Sequence, residues 1–329
     1  MGFGDSGYFE NIQRICLDYL TQNYSLCYLS SMHYKNRVQG ADTIIVGSSH
    51  AMNGIIEKEL TAAGDVIQFC ISSQDLFYDY EHIKKALSEA HRPIQRCLIN
   101  LGYYMLYQDL SLSKLVRQQI SLVYLDLFGE GKYHNWPEAE RTDPLSLISF
   151  DEKMYPRELI GPLCRFWAEK ACLEQSSYYG DLLTREKCNV LGLKKVDWAC
   201  LSEQGRMAFA ENRVNNGHNK HINHIESRKE NDGILFDMVK LLNDNHIKTY
   251  FFITPYTDYY MQLIDPRYKD DMVKALSDLP YPVEFLDMND YSEGFDNGDF
   301  LDSDHLNLRG AHKATSLLND FIVIAEEKQ

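Results

Sequence analysis

The 329-residue chain has no uninterrupted apolar run approaching the ~20 residues that cross a bilayer, so no membrane-spanning helix or membrane anchor is expected. Its eight cysteines, Cys16, Cys27, Cys70, Cys97, Cys164, Cys172, Cys188 and Cys200, form no C-x-x-C pair. That argues against a zinc knuckle or a redox motif, and the thiols read as reduced and mostly buried. Positive charge is scarce: 33 Lys and Arg stand against 48 Asp and Glu, a net charge of −15. This balance argues against nucleic acid as a partner and against a polybasic membrane contact. The opening MGFGDSGYFENIQR lacks a basic segment followed by an apolar one, so no signal peptide is expected and the segment reads as a mobile terminus. Internal repeats and low-complexity tracts are also missing. Tryptophan is rare, with 3 residues against 22 tyrosines. Aromatic side chains with polar tips suit sugar-like ligands, although ordinary packing accounts for most of them.

What is present is an ordinary globular balance, 44% hydrophobic and 25% charged, in a chain long enough for a sizeable core. Short β-branched or apolar runs recur, and glycine or proline closes several of them: TIIVG at 43–47, 66–71, CLINL at 97–101, KTYFFIT at 248–254 and VEFLD at 283–287. Helical stretches lie between them, at about 50–62, 78–90, 234–245 and 272–279, with a terminal helix over about 308–326. Continuous rather than alternating apolar runs indicate strands buried on both faces, and strand–helix alternation indicates a parallel sheet. The expected fold is a three-layer α/β/α sandwich around a five-stranded parallel, flavodoxin-like sheet. Residues 103–226 break the rhythm and hold Trp136, Trp167 and Trp198. They read as a mostly helical insertion in a single domain, with the core at about 40–102 and 227–325. The insertion follows a strand's carboxyl end, above the ligand crevice of an open α/β sheet.

Three features fall at strand ends. Gly47-Ser48-Ser49-His50 follows the first strand and opens a helix. A serine on such a turn is exposed at the sheet's rim, beside the unpaired N–H groups of a helix start. Taken alone, N-capping explains it. Asp302-Ser303-Asp304-His305 precedes the last helix and offers a base with an orienting carboxylate three residues away, which a hydroxyl nucleophile requires. The loops Ile71-Ser72-Ser73-Gln74 and Leu101-Gly102-Tyr103-Tyr104 lie where further oxyanion donors are needed, and both also fit ordinary turns.

Together these blocks resemble the SGNH/GDSL hydrolase superfamily over roughly 40–102 and 227–325. The G-S-S turn, Thr254-Pro255-Tyr256 and the D-S-D-H-L-N-x-x-G-A string from Asp302 to Ala311 look most like the branch with teichoic-acid D-alanyl-transfer and polysaccharide O-acetyl-modifying proteins. The resemblance implies Ser49 as nucleophile with Ser48 in the block's Asp position, His305 as general base, and Asp302 as its orienter. It also implies oxyanion donors at Ser49, near Ser73 and at Gly102. The third block departs from the pattern, with Tyr104 where the family has asparagine. A tyrosine hydroxyl there donates with a different reach, and Asn100 or the backbone is an alternative donor. The implied activity is a serine esterase or acyltransferase on O-acyl groups, with a carbohydrate or small-molecule ester as substrate and no cofactor or metal. The alternative is a catalytically degenerate domain that binds a glycan or protein. The missing signal suggests the cytoplasm, whereas the resemblance allows the extracytoplasmic side.

Other residues keep more than one reading. His50 and Tyr103 are candidate substrate contacts, and His50 otherwise caps or faces solvent as the first helical residue. Asp304 competes with Asp302 as orienter. His218, His221 and His224 have the spacing of a helix face able to hold zinc, but they also read as a substrate-contacting loop or a solvated segment. Tyr103-Tyr104-Tyr107 and Tyr256-Tyr259-Tyr260 follow strand ends, where sugar stacking competes with core packing; Tyr178-Tyr179 has no such placement.

Overall fold

A computed structural model describes residues 38–141, apart from 115, 118, 119 and 130, and residues 198–328. The mobile-terminus reading, five cysteines (Cys16, Cys27, Cys164, Cys172, Cys188), Trp167 and Tyr178-Tyr179 lie outside the described residues. Those described fall into two compact units, one of 38–109 with 198–328 and one of 110–141. In the smaller unit Trp136 is buried beneath the Arg117 guanidinium, and Arg141 donates to its carbonyl.

The larger unit is built on five parallel strands: β1 Thr43–Val46, β2 Val66–Gln68, β3 Arg96–Asn100, β4 Lys248–Ile253 and β5 Glu284–Asp287. Their order is β2-β1-β3-β4-β5, the doubly wound arrangement the alternating runs implied. Helices α1 Ser49–Gly54, α2 Leu76–Glu89, α3 Glu203–Arg213, α4 Ile225–Asp244, α5 Arg267–Ser277 and α6 Leu308–Glu327 accompany the sheet. The pleat sends Ile45, Leu98, Tyr250, Phe252 and Leu286 into one core with α1 and α6. Paired registers such as Ile45–Leu98 and Phe252–Leu286 keep these side chains on one face. From α6, Ala311, Ala314, Leu318, Ile322 and Ala325 form the apolar stripe that covers them, at helical spacing. Full burial of each large aliphatic side chain there contributes about 1.5–3 kcal/mol.

Two elements differ from the sequence reading. The helix expected over 50–62 stops at Gly54, where Ile55 and Ile56 turn extended and enter the core; 3-10 turns at Glu57–Glu59 and Thr61–Ala63 follow. The helix expected from 234 begins at Ile225, because its first turns are polar and mostly exposed and so carry no apolar period. Residues 198–226, assigned from sequence to the insertion, belong to the compact unit that holds the sheet. Among the described residues, no helix is long and apolar enough to cross a membrane.

Chain order places β1 between β2 and β3, so the connections leaving β1 and β3 diverge above their carboxyl ends. Open α/β sheets carry their crevice at such a switch point. Ser49 follows β1 and Gly102 follows β3.

Candidate active site

The turn after β1 is fixed by backbone crowding. Gly47 has φ +146°, and a Cβ there would stand 2.6 Å from Asn100 Cβ and 3.0 Å from Asn100 O, so only glycine fits without a shift. Gln74 Nε2 ties the turn down by donating to Gly47 O (3.1 Å), Phe69 O (2.9 Å) and Asp79 Oδ1 (2.7 Å). Burial pushes the Asp79 carboxyl well above the ordinary range. Ser48 occupies the N-cap position of α1 but makes no capping bond. In the first turn Asn100 Oδ1 accepts from Ala51 N at 3.1 Å, which leaves the N–H groups of Ser49 and His50 as the remaining first-turn donors.

The second half of the site is the loop before α6. Leu301 N donates to His305 O at 2.8 Å and Asn307 N to Asp299 O at 2.9 Å, which closes the loop on itself. Asn307 caps α6 through Arg309 N and Gly310 N, and Gly310 packs so close to Asp299 O that a Cβ would approach it to 2.3 Å. From the end of β4, Thr257 grips the loop through its N–H (3.1 Å) and hydroxyl (2.8 Å), both donating to Ser303 O. Asp302 Oδ1 accepts from Asp304 N (3.0 Å) and His305 N (2.9 Å), so the carboxylate is held before the imidazole meets it.

This scaffold brings Ser49, His305 and Asp302 into one line. Ser49 Oγ lies 2.8 Å from His305 Nε2, and His305 Nδ1 lies 3.0 Å from both Asp302 oxygens. An ionised Asp302 makes Nδ1 the proton-bearing nitrogen and leaves the Nε2 lone pair facing the serine. The His305 side chain is 13% exposed. Burial by itself lowers its pKa, but the charges of Asp302 and Asp304 outweigh burial and hold it above 6.5. Asp304 Oδ1 stands off at 3.8 Å from Nδ1, so Asp302 is the orienter of this ring.

Beside it lies a second, buried array. His50 is 1% exposed, which corrects the solvent-facing reading. Its Nε2 lies 3.1 Å from Asp304 Oδ2 and its Nδ1 lies 3.1 Å from Ser48 Oγ, so both ring nitrogens are engaged within the protein. The rings of His50 and His305 stack, with centroids 4.8 Å apart and planes at 14°. Arg213, at the end of α3, donates from Nε and Nη2 to Asp304 at 2.8–3.0 Å. Burial raises the Asp304 pKa, but Arg213 and the neighbouring His305 overcome this and keep the carboxylate ionised. Burial lowers the His50 pKa beyond what its Asp304 bond restores, which keeps the ring neutral. The donor atoms of His50, Asp304 and His305 lie within 4.8 Å of one another, but Arg213 already compensates the charge a cation would answer.

The remaining sequence candidates are placed as follows. Ser73 sits at φ 62° in a turn closed by Gln74 N to Ile71 O, and its carbonyl accepts from Gln108 Nε2 at 3.0 Å. Gly102 opens a 3-10 turn over Tyr103–Tyr107, with Tyr104 and Tyr256 close against it. The Tyr104 ring is buried face to face with His218 at 3.8 Å and edge-on to His50 at 6.4 Å. Tyr103 is buried and donates to Asp287 Oδ2 at 2.6 Å, at the end of β5. Asn100 bridges Ala51 N and Phe252 O and so fastens α1 to the sheet. His218 and His221 are buried, which corrects the solvated-segment reading, while His224 is exposed. The three histidines do not share a helix face, because a π-turn over Val214–His218 passes into a 3-10 turn over Asn219–Asn223. His218 bonds Tyr260, and His221 faces His224 with their Nδ1 atoms 3.4 Å apart. Of the described thiols, Cys70 and Cys97 are buried and Cys200 is exposed.

The sequence reading missed Arg213 and the Ser48–His50–Asp304 line. A charged residue at the end of an exposed helix carries no signal of its own, and only the fold brings it to Asp304. No known protein-family profile matches the chain, and no curated protein is recognisably similar to it.

Proposed function

We propose that the protein is a serine esterase or acyltransferase acting on O-acyl groups through an acyl-serine intermediate. The observation that carries this reading is the aligned set of Ser49 Oγ, His305 Nε2 and the Asp302 carboxylate at 2.8 and 3.0 Å. It lies at the sheet's switch point and matches the roles implied by the SGNH/GDSL resemblance. His305 takes the hydroxyl proton as Ser49 attacks an ester carbonyl, and Asp302 stabilises the imidazolium. The first-turn N–H of Ser49, with a donor from the Ser73 turn, faces the developing oxyanion. The imidazolium returns its proton to the leaving alcohol; water or a sugar hydroxyl then resolves the acyl-serine. A carbohydrate ester is the substrate class the resemblance favours.

The test is turnover of p-nitrophenyl acetate by the wild type and by Ser49→Ala. We expect a loss of at least ~10³-fold in the variant. Equal rates would sink the proposal.

A second reading is supported by Tyr104, whose ring is packed between His218 and His50 where the resembled family places an oxyanion-donating asparagine. In that reading the domain binds a glycan or protein without turnover. An intact triad that fails to react with a fluorophosphonate probe would favour it.

A further inference from the structure

The loop before α6 carries two aspartates on either side of a serine, and each takes a different histidine: Asp302 holds His305 and Asp304 holds His50. The second pair is more heavily built than a structural loop requires. Asp304 is fully buried and receives Ser303 Oγ (3.1 Å), His50 Nε2 (3.1 Å) and two nitrogens of Arg213. An ionised Asp304 fixes the proton of neutral His50 on Nε2, so Nδ1 accepts from the Ser48 hydroxyl. The His50 ring then has one orientation, and that orientation lies flat against His305.

Two physical consequences reach His305. A fixed plate 4.8 Å away defines the plane of the imidazole, which must keep Nε2 on Ser49 and Nδ1 on Asp302 at once. An uncharged plate also spares the imidazolium a like-charge neighbour when it forms. Meanwhile Asp304, 3.8 Å from His305 Nδ1, brings a negative charge that Arg213 largely balances. Among the described residues, the charged and titratable groups around His305 are Asp302 and Asp304 on its own loop, Ser49 and His50 from α1, and Arg213 from α3. Tyr104 and Tyr256 contact His50, and His218 stacks on Tyr104.

We propose that His50, Asp304 and Arg213 are positioning residues for His305: His50 holds its ring plane by stacking, and the compensated Asp304–Arg213 pair sets the pH at which it becomes an effective base. This rests on the esterase reading only for its consequence in turnover; the array acts on His305 whether or not an ester is cleaved.

The sign of the charge effect differs between the two partners. Asp304→Asn removes a negative charge and exposes Arg213, so His305 should titrate at a lower pH, by about one unit. Arg213→Gln leaves Asp304 unbalanced, so His305 should titrate higher by a similar amount. Arg213→Lys keeps the charge and should return the titration close to wild type. The measurement is NMR titration of the His305 ring signals, identified by their loss in His305→Gln. It needs no turnover, so failure of the esterase reading and failure of the charge role are separately visible. Arg213 is partly exposed, and its variants remain informative if Asp304→Asn does not fold. In the enzyme, the acid limb of kcat/KM should move with the NMR value. His50→Gln should lower kcat about 10–100-fold with KM unchanged, because the plate is lost while substrate contacts remain. His305 titrating at one pH in wild type and both Arg213 variants would overturn the charge role. An unchanged kcat in His50→Gln would overturn the stacking role.

Discussion

Two serine–histidine–aspartate lines run side by side in this protein, and they differ mainly in access to solvent. In Ser49–His305–Asp302 the carboxylate side chain is 27% exposed and the imidazole 13%, while in Ser48–His50–Asp304 the histidine and aspartate side chains are at 0%. The same three residue types therefore do two kinds of work. At the rim, the charges of Asp302 and Asp304 hold the histidine pKa up, which suits the base that the proposed reaction needs. One layer deeper, desolvation holds the other histidine neutral, and Arg213 neutralises its aspartate. In the proposed esterase, residue identity does not decide which serine is the nucleophile. Both imidazoles turn a lone pair to their serine, so the difference lies in a partly open face and a carboxylate not already committed to an arginine.

The sharpest way to break this comparison is to neutralise each aspartate in turn. Asp302→Asn should cost about 10⁴-fold in kcat with little change in stability, because it disturbs the His305 tautomer. Asp304→Asn should cost mainly stability, about 2–3 kcal/mol, because it leaves Arg213 without its partner; the figure is reduced because Arg213 is partly exposed. Kinetics together with denaturant melts separate the two, and equal effects on both axes would erase the distinction drawn here.

The pH dependence sharpens the same contrast. His305 is raised above 6.5, so kcat/KM should rise with pH and reach half its maximum above pH 6.5. Its pairing stabilises the fold fully below pH 6.5 and loses that contribution as pH climbs through the folded value. Buried neutral histidines work in the opposite sense. Burial, and then neighbouring Lys220 and His224, lower the His221 pKa to about 4, so its contribution is present above pH 6.5 and is lost as pH falls toward 4. The smallest expected effect follows: His221→Gln should flatten the decline of Tm between pH 6.5 and 4, read by calorimetry.

Much of the fold was legible because it is written in runs of residues. All five strands fall on the apolar runs first marked, since a parallel sheet buried on both faces needs continuous hydrophobicity. The start of α4 was not legible, because a polar, solvated first half carries no period. The Ser49, Asp302 and His305 set was visible through strand ends and spacing, and the structure brings those three side chains together. The second array was less visible for a physical reason: a buried polar network is made by packing across distant segments. His50, Asp304 and Arg213 come from three elements, and Arg213 does not stand out in its own stretch of sequence. The resemblance implies a donor role for Tyr104, but its stacking partner His218 comes from the segment assigned to the insertion and is itself bonded to Tyr260, which follows β4.

The central claim is that only the rim line is nucleophilic, and covalent labelling tests it most directly. Intact-mass spectrometry after exposure to a fluorophosphonate should find one adduct per chain in wild type. The adduct should persist in Ser48→Ala and disappear in Ser49→Ala. An adduct that survives Ser49→Ala, or a wild-type protein that never acquires one, would contradict the account.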